Sequence, residues 1–298
     1  MNMIHSKANR RYQFIINTIM LLVTVIMIAP LVLLFMSSVS SEASLLNNGY
    51  SFWPEEFSLS AYQYILANGQ TIFRAYGVTI LVTIVGTSIN LLLCSMAAYA
   101  LSIRKLPFRN VISFFIFFTM LFNGGLVPSY LMWTSTFHIK NTIWALIIPN
   151  FLCGAMNIIL IRTYFMTSIP EALYEAAKID GASYLYIFRR IAVPMGVPIF
   201  VTVGLFSGLG YWNDWTNGLY YINDAKLYSI QTLLNKMIQD IQALQANATA
   251  VSSGAAMQIP TVSVRMAIAF VALAPILAIY PFLQKYFAEG IAMGAVKG

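Results

Sequence analysis

Six stretches of this chain are apolar over lengths that suit a bilayer better than a soluble core. Residues 14–36 carry no charge over 23 positions. At about 1.5 Å per helical residue they cross a hydrocarbon layer of about 30 Å. Residues 77–101, 111–132, 142–161, 195–212 and 266–282 repeat the pattern, the fifth interrupted by Gly196, Pro198, Gly204, Gly208 and Gly210. Glycine and proline are tolerated in spanning helices whose neighbours restore the backbone hydrogen bonds. No alternation of the kind a membrane barrel needs is present. The pattern predicts an all-α membrane protein with six transmembrane helices in one domain over residues 1–298. The first stretch is too long for a cleaved signal and is read as a retained helix.

Three polar segments stand out between the apolar runs. Residues 37–71 hold Asn47, Asn48, Gly49, Trp53, Pro54, Glu55 and Glu56 and are expected to lie folded outside the membrane. In residues 213–265, Leu227, Ile230, Leu234, Met237, Ile238, Ile241 and Leu244 recur at three- and four-residue steps, an amphipathic helix signature. That helix suits a membrane surface, the chain's own bundle or an external partner. The small polar run 246–258 follows it.

The third segment, residues 168–194, is the most patterned. Ser168 followed by Glu171 reads as a capping box, with Pro170 in the first helical turn. Gly181 is placed to end that helix in a left-handed conformation, and Ser183 to cap a second one that runs to Pro194. Ala172, Leu173, Ala176 and Ala177 form a small-residue stripe, and Glu171, Glu175 and Lys178 lie beside it. Such a stripe lets a helix seat in a partner's groove. An ordinary helical hairpin has the same spacing.

Composition agrees with the pattern. The chain is 59% hydrophobic and 9% charged, against about 25% charged in soluble domains. The net charge of +7 could suggest nucleic acid, but its distribution points to membrane topology. With six spans and an inward amino terminus, one side holds Lys7, Arg10, Arg11, Arg104, Lys105, Arg109, Arg162, Lys178, Arg189, Arg190, Lys285 and Lys297. The other holds only Arg74, Lys140, Lys226, Lys236 and Arg265. The positive-inside bias then puts both termini in the cytoplasm, and no nucleic acid is needed to explain the charge.

Chemistry is sparse. Carriers driven by protons or ions place Asp, Glu or His inside the membrane, and no predicted span has one near its middle. The G-x-x-x-x-G-K-[ST], H-E-x-x-H and G-x-S-x-G patterns do not occur. His5 and His138 fall outside the spans, and Cys94 and Cys153 are expected to be buried small apolar residues without disulfide or metal spacing. No catalytic residue and no bound metal or cofactor are expected. A transporter built this way requires energy from another protein.

Glu175-Ala176-Ala177, Asp180-Gly181-Ala182, Phe188, Ile191, Pro194 and Pro198 resemble the "EAA" loop of bacterial ABC importer permeases. Val193 stands where many members have leucine. The ending from Gln284 to Gly298 is similar to that of the second, maltose-permease-type subunit of carbohydrate importers. The run from Phe122 to Pro128 looks like permeases for complex oligosaccharides or polysaccharide fragments. The resemblance spans nearly the whole chain.

It implies a type I importer fold in the bacterial cytoplasmic membrane. It also implies a second homologous permease subunit, two ATPase subunits that bind ATP and Mg, an extracytoplasmic solute-binding protein and a sugar substrate. By the same resemblance Glu171, Ala172, Leu173, Glu175, Ala176, Ala177, Asp180 and Gly181 belong to a coupling helix docked on the ATPase, and the carboxy-terminal tail reaches the ATPase dimer.

Aromatic and amide groups suit sugar. Trp212, Asn213 and Trp215 offer them after the fifth run, and Asn123, Tyr130 and Trp133 on the third. An interfacial aromatic belt accounts for the first group equally well. Two other functions stay open on sequence grounds: a self-sufficient channel or secondary carrier, and a membrane scaffold or sensor.

Overall fold

The computed structural model describes residues 7–67, 69–248 and 262–295. Its helices are α1 (Lys7–Ser38), α2 (Glu42–Asn48), α3 (Ser60–Ala67), α4 (Gly69–Ser102), α5 (Arg109–Leu121), α6 (Leu126–Leu131), α7 (Trp144–Ile147), α8 (Ala155–Ser168), α9 (Glu171–Ile179), α10 (Tyr184–Ile187), α11 (Val193–Met195), α12 (Val197–Trp212), α13 (Thr216–Tyr221), α14 (Ile230–Ala248) and α15 (Val262–Ala295). Wider π-type turns continue α6 through Met132–Thr136 and join α10 to α11 through Phe188–Ala192. The polar run 246–258 falls largely outside the described residues.

The chain divides into two compact units. One holds α1 to α3, the later part of α14 and the first part of α15; the other holds α4 to α13, the start of α14 and the end of α15.

In the first unit α1 leaves its apolar side chains uncovered, with Phe14, Leu21, Ile26 and Met27 all more than 60% exposed. Each would cost about 1.5–3 kcal/mol left in water, so lipid or protein has to cover this helix. The segment that follows is folded, as expected. Ser40 and Phe57 form an isolated antiparallel bridge, and Ser41 caps α2 by accepting the Ser44 N–H. Glu42 then reaches the start of α15, where its carboxylate accepts the N–H groups of Val262 and Ser263, both at 2.9 Å. A carboxylate at a helix amino end satisfies orphan donors and meets the positive end of the dipole.

In the second unit α4 is the long continuous helix. Tyr99, Cys94, Ala98 and Leu101 on its later half pack with Ile158, Ile161 and Phe165 of α8, Ile187 and Phe188 of the hairpin, and Val203 of α12. Gly86 lets the Tyr211 ring lie against the α4 backbone, since a Cβ there would come within 2.5 Å of the ring.

Two predicted spans are not single helices. The third is broken at residues 122–125, where the paired helices bend by 112° and Gly125 takes φ +89°. The fourth, residues 142–161, is interrupted between α7 and α8, with Asn150 at φ +69°. Pro149 in this stretch has no N–H to give a helical ladder. By contrast α12 runs unbroken through Gly204, Gly208 and Gly210; its sharp feature is a 79° bend from the preceding helix at Gly196. Among the described residues Tyr12–Ser38 and Gly69–Ser102 are long and apolar enough to cross a membrane, and each bent pair could make one more span. Cys94 is buried as expected, but Cys153 is exposed because it lies in the interruption rather than on a helix.

The interruption exposes carbonyls that no helix satisfies, and side chains from three other helices take them. Tyr211 donates its hydroxyl to the Ile147 carbonyl at 2.9 Å. Asn217 donates to Pro149 at 3.1 Å. Asn90 donates to both Phe151 (2.7 Å) and Leu152 (3.2 Å). Its Oδ1 accepts from Asn157 at 3.1 Å and Ser207 at 3.0 Å, so α4, α8 and α12 meet at one fully buried amide.

Breaking this contact is expected to cost more than the lost bonds alone. An average interhelical hydrogen bond in a membrane protein contributes about 0.6 kcal/mol, but an orphaned buried carbonyl costs about 1–3 kcal/mol. Asn90→Leu leaves two carbonyls bare and leaves Asn157 and Ser207 with only their mutual hydrogen bond at 3.0 Å; it should destabilise by about 2–4 kcal/mol, Tyr211→Phe by about 1 kcal/mol. Denaturant unfolding in detergent micelles checks the order; equal stability of Asn90→Leu and wild type would contradict it.

Candidate coupling hairpin and substrate-facing residues

The start of α9 differs from the expected capping box. Ser168 is the last residue of α8, and Ile169 after it is extended at φ −103°, ψ 118°. A residue before proline is pushed out of the helical region, so Pro170 resets the chain and becomes the N-cap itself, without a side-chain cap. Glu171 is then the first helical residue, one position away from the cap. Its carboxylate pairs with Arg104 instead, at 3.2 Å. Both side chains are at least half exposed, so the pair contributes no more than about 1 kcal/mol.

The other two signals hold. Gly181 takes φ +78°, the Ala182 N–H donates to Ala177 at 2.9 Å and the Gly181 N–H to Lys178 at 3.0 Å. This nested pair is the Schellman arrangement. A Cβ on Gly181 would meet nothing within 4 Å, so only the backbone conformation selects glycine there within this chain. Ser183 caps α10 by accepting the Tyr186 N–H.

The orientation of α9 is set by Tyr174. Tyr174 and Ala177, three apart and therefore on one face, pack on the Tyr99, Phe165 and Phe188 cluster, with the Tyr99 and Tyr174 rings 6.1 Å apart. Burial, and next Tyr99, push the Tyr174 phenol up to about 12. Ala177 thus turns inward. Ala172, Leu173, Glu175 and Ala176 are exposed, and so are Asp180 and Gly181 at the carboxyl end. Ile179, which the spacing did not single out, is 86% exposed and extends the apolar face. A cavity of about 240 Å³ under the helix is lined by Arg104, Lys105, Glu171, Glu175 and Lys178 among others.

The substrate candidates separate into three places. Asn123 is spent locally, accepting the Gly125 N–H at 2.8 Å. Tyr130 and Trp133 come together around Tyr221 and Ile147; Tyr130 stacks on Tyr221 at 5.8 Å and accepts from Lys140 at 2.8 Å. Trp212 is buried, Asn213 donates back to the Leu209 carbonyl at 2.9 Å, and Trp215 is 42% exposed. The aromatic positions therefore divide between packing and surface. Asp214 between them is buried and caps α13, accepting the N–H groups of Thr216 and Asn217.

The family model of the binding-protein-dependent transport system inner membrane component matches residues 90–293. The chain belongs to this family. The match takes in the α9 hairpin, α12 and the buried Asn90 with its partners. The polygalacturonan/rhamnogalacturonan transport system permease protein YtcP of Bacillus subtilis (strain 168) is 34% identical over 97% of this chain and 99% of its own length. Protein LplC of the same organism is 37% identical over 92% and 90%. Among solved structures, a chain of a bacterial ABC transporter involved in the import of the acidic polysaccharide alginate superposes with a TM-score of 0.79 at 28% identity, covering 95% of this chain and 99% of that one. This permease is accordingly an inner-membrane, transport-system component of the bacterial cell membrane.

Asp214 generates a pH prediction. Burial raises its carboxyl from 3.8 to about 6, against the lowering effect of the two N–H groups. The folded state therefore holds this proton more tightly than the unfolded one. Its contribution to stability is full below pH 3.8 and is lost as pH rises through about 6. Asp214→Asn, which keeps an acceptor for the cap, should flatten that part of the stability profile in micelles between pH 4 and 7. An unchanged slope in the variant would contradict the assignment.

Proposed function

We propose that the chain is one of two homologous permease subunits of an ATP-driven importer for oligosaccharides released from complex, acidic polysaccharides. The observation that carries this reading is α9: a capped helix anchored by Tyr174 that leaves Ala172, Leu173, Ala176 and Ile179 uncovered. An apolar face with no partner among the described residues suits a groove on an ATPase subunit. The names of YtcP, a polygalacturonan/rhamnogalacturonan transport system permease protein, and of the transporter involved in the import of the acidic polysaccharide alginate support the substrate class.

In this reading the single membrane domain has six spans, with the broken helices counted as spans, and both termini and α9 lie in the cytoplasm. The charge split supports that orientation. Two ATPase subunits supply ATP hydrolysis with Mg, and this chain is non-catalytic. An extracytoplasmic binding protein delivers the sugar. Motion at α9 passes through Tyr174 and Phe188 to Tyr99 on α4 and through the bend at Gly196 to α12. Glu171, Glu175, Asp180 and Gly181 frame the docked helix. Tyr130, Trp133 and Trp215, with Asn123, Trp212 and Asn213 near them in sequence, are the groups offered to the sugar path. The helical carboxy-terminal segment to Ala295 is the part of the tail available to reach the ATPases.

Glu175→Lys and Gly181→Asp test the coupling. Gly181→Asp has room in the isolated chain and pays about 1–2 kcal/mol for the left-handed backbone, so folding should survive. In the reconstituted importer, ATP-dependent uptake of an oligogalacturonide should fall by about five- to 150-fold, the range of 1–3 kcal/mol of lost coupling, while micelle unfolding shifts little. Normal uptake with normal stimulation of the ATPase in both variants would defeat the reading.

A further inference from the structure

We propose that the groove between the end of α4 and α10 binds one anionic phospholipid. The groove is about 390 Å³, and Met96, Ala100, Leu106, Pro107, Leu185 and Phe188 form most of its wall. Lys105 also lines it. The groove crosses a boundary in the chain: Met96, Tyr99 and Ala100 belong to the apolar run 77–101, whereas Lys105 and Leu106 follow its end and Leu185 belongs to α10. Its Met96 end therefore sits at acyl depth, and the end formed by Lys105 and α10 at headgroup depth.

The wall is exposed where a tail would lie, with Met96 47% accessible, and an acyl chain covering it removes apolar surface from water. At the rim, Lys105 has no ion-pair or hydrogen-bond partner among the described residues. Arg104 beside it is held by Glu171 and Lys178 lies over the ring of Tyr184, so Lys105 is the cation that itself lines the groove and can meet a phosphate. Lipid is favoured over a soluble anion because the wall is almost wholly apolar. It is favoured over a neutral lipid because the basic rim complements the anionic cytoplasmic leaflet. The inference rests on the cytoplasmic placement of α9 and α10 proposed above.

The test uses the purified full chain and native mass spectrometry with phosphatidylglycerol, phosphatidylcholine or inorganic phosphate. Phosphatidylglycerol should be retained about five-fold over phosphatidylcholine, the effect expected of one lysine near the headgroups. Lys105→Gln should erase that preference, whereas Lys105→Arg and the control Lys226→Gln keep it. A phosphatidylglycerol with a photoreactive tail should label residues 96–103. Equal retention of the two lipids by wild type, equal loss in Lys226→Gln, displacement by inorganic phosphate, or labelling elsewhere would each overturn the site. Labelling of a cysteine at position 179 from outside right-side-out vesicles would instead strike the topology, whatever the lipid result.

Discussion

The second unit depends on how one stretch of non-helical backbone is satisfied. Between α7 and α8 the carbonyls of Ile147, Pro149, Phe151 and Leu152 accept from Tyr211, Asn217 and Asn90 rather than from a helical ladder. At membrane depth an unsatisfied carbonyl has no water to turn to, so irregular backbone survives only where protein groups cap it. The donors come from α4, α12 and α13, and capping therefore fixes where those helices stand. Asn90 couples the geometry further through Asn157 and Ser207. The amide acts as a polar pin that ties α4, α8 and α12 together in an apolar setting.

In the proposed function that pin gives α9 something rigid to act on. Tyr174 seats the helix on Tyr99 and Phe188, and Phe188 belongs to the π-type turn that leads to Gly196 and α12. A force on the exposed face of α9 thus meets α4 at one end and α12, past a bend, at the other. The sequence has neither a phosphate loop nor a carboxylate near the middle of an apolar run, and the proposed function has the energy for transport enter by such a contact.

Much of this was legible in the sequence, and the exceptions have physical causes. Gly181 and Ser183 announced the turn between α9 and α10 because each answers a local backbone demand. The capping box failed for a local reason too: Pro170 fixes Ile169 as extended, and that constraint outweighs a hydrogen bond from Ser168. Ile179 was missed because the orientation of α9 is decided by Tyr174 packing on residues of α4 and α8, far away in sequence. Asn90, Asn157 and Ser207 were visible as polar residues in apolar runs, but their partners lie 50 to 117 positions apart. For the same reason the break in residues 142–161 was hidden. Hydropathy counts side chains, and what permits the break is a set of donors elsewhere in the chain.

The central claim is that transport energy enters through α9, and a cross-link tests it most directly. Ile179→Cys, in a chain with Cys94 and Cys153 replaced by serine or alanine, would be assembled with its partner subunits and treated with a short bifunctional thiol reagent. The account predicts a covalent adduct between this chain and an ATPase subunit carrying a cysteine in its groove, with sugar uptake arrested until the link is cleaved. ATP-driven uptake that continues at full rate through an intact cross-link, or an assembled importer in which position 179 reaches no ATPase subunit, would contradict it.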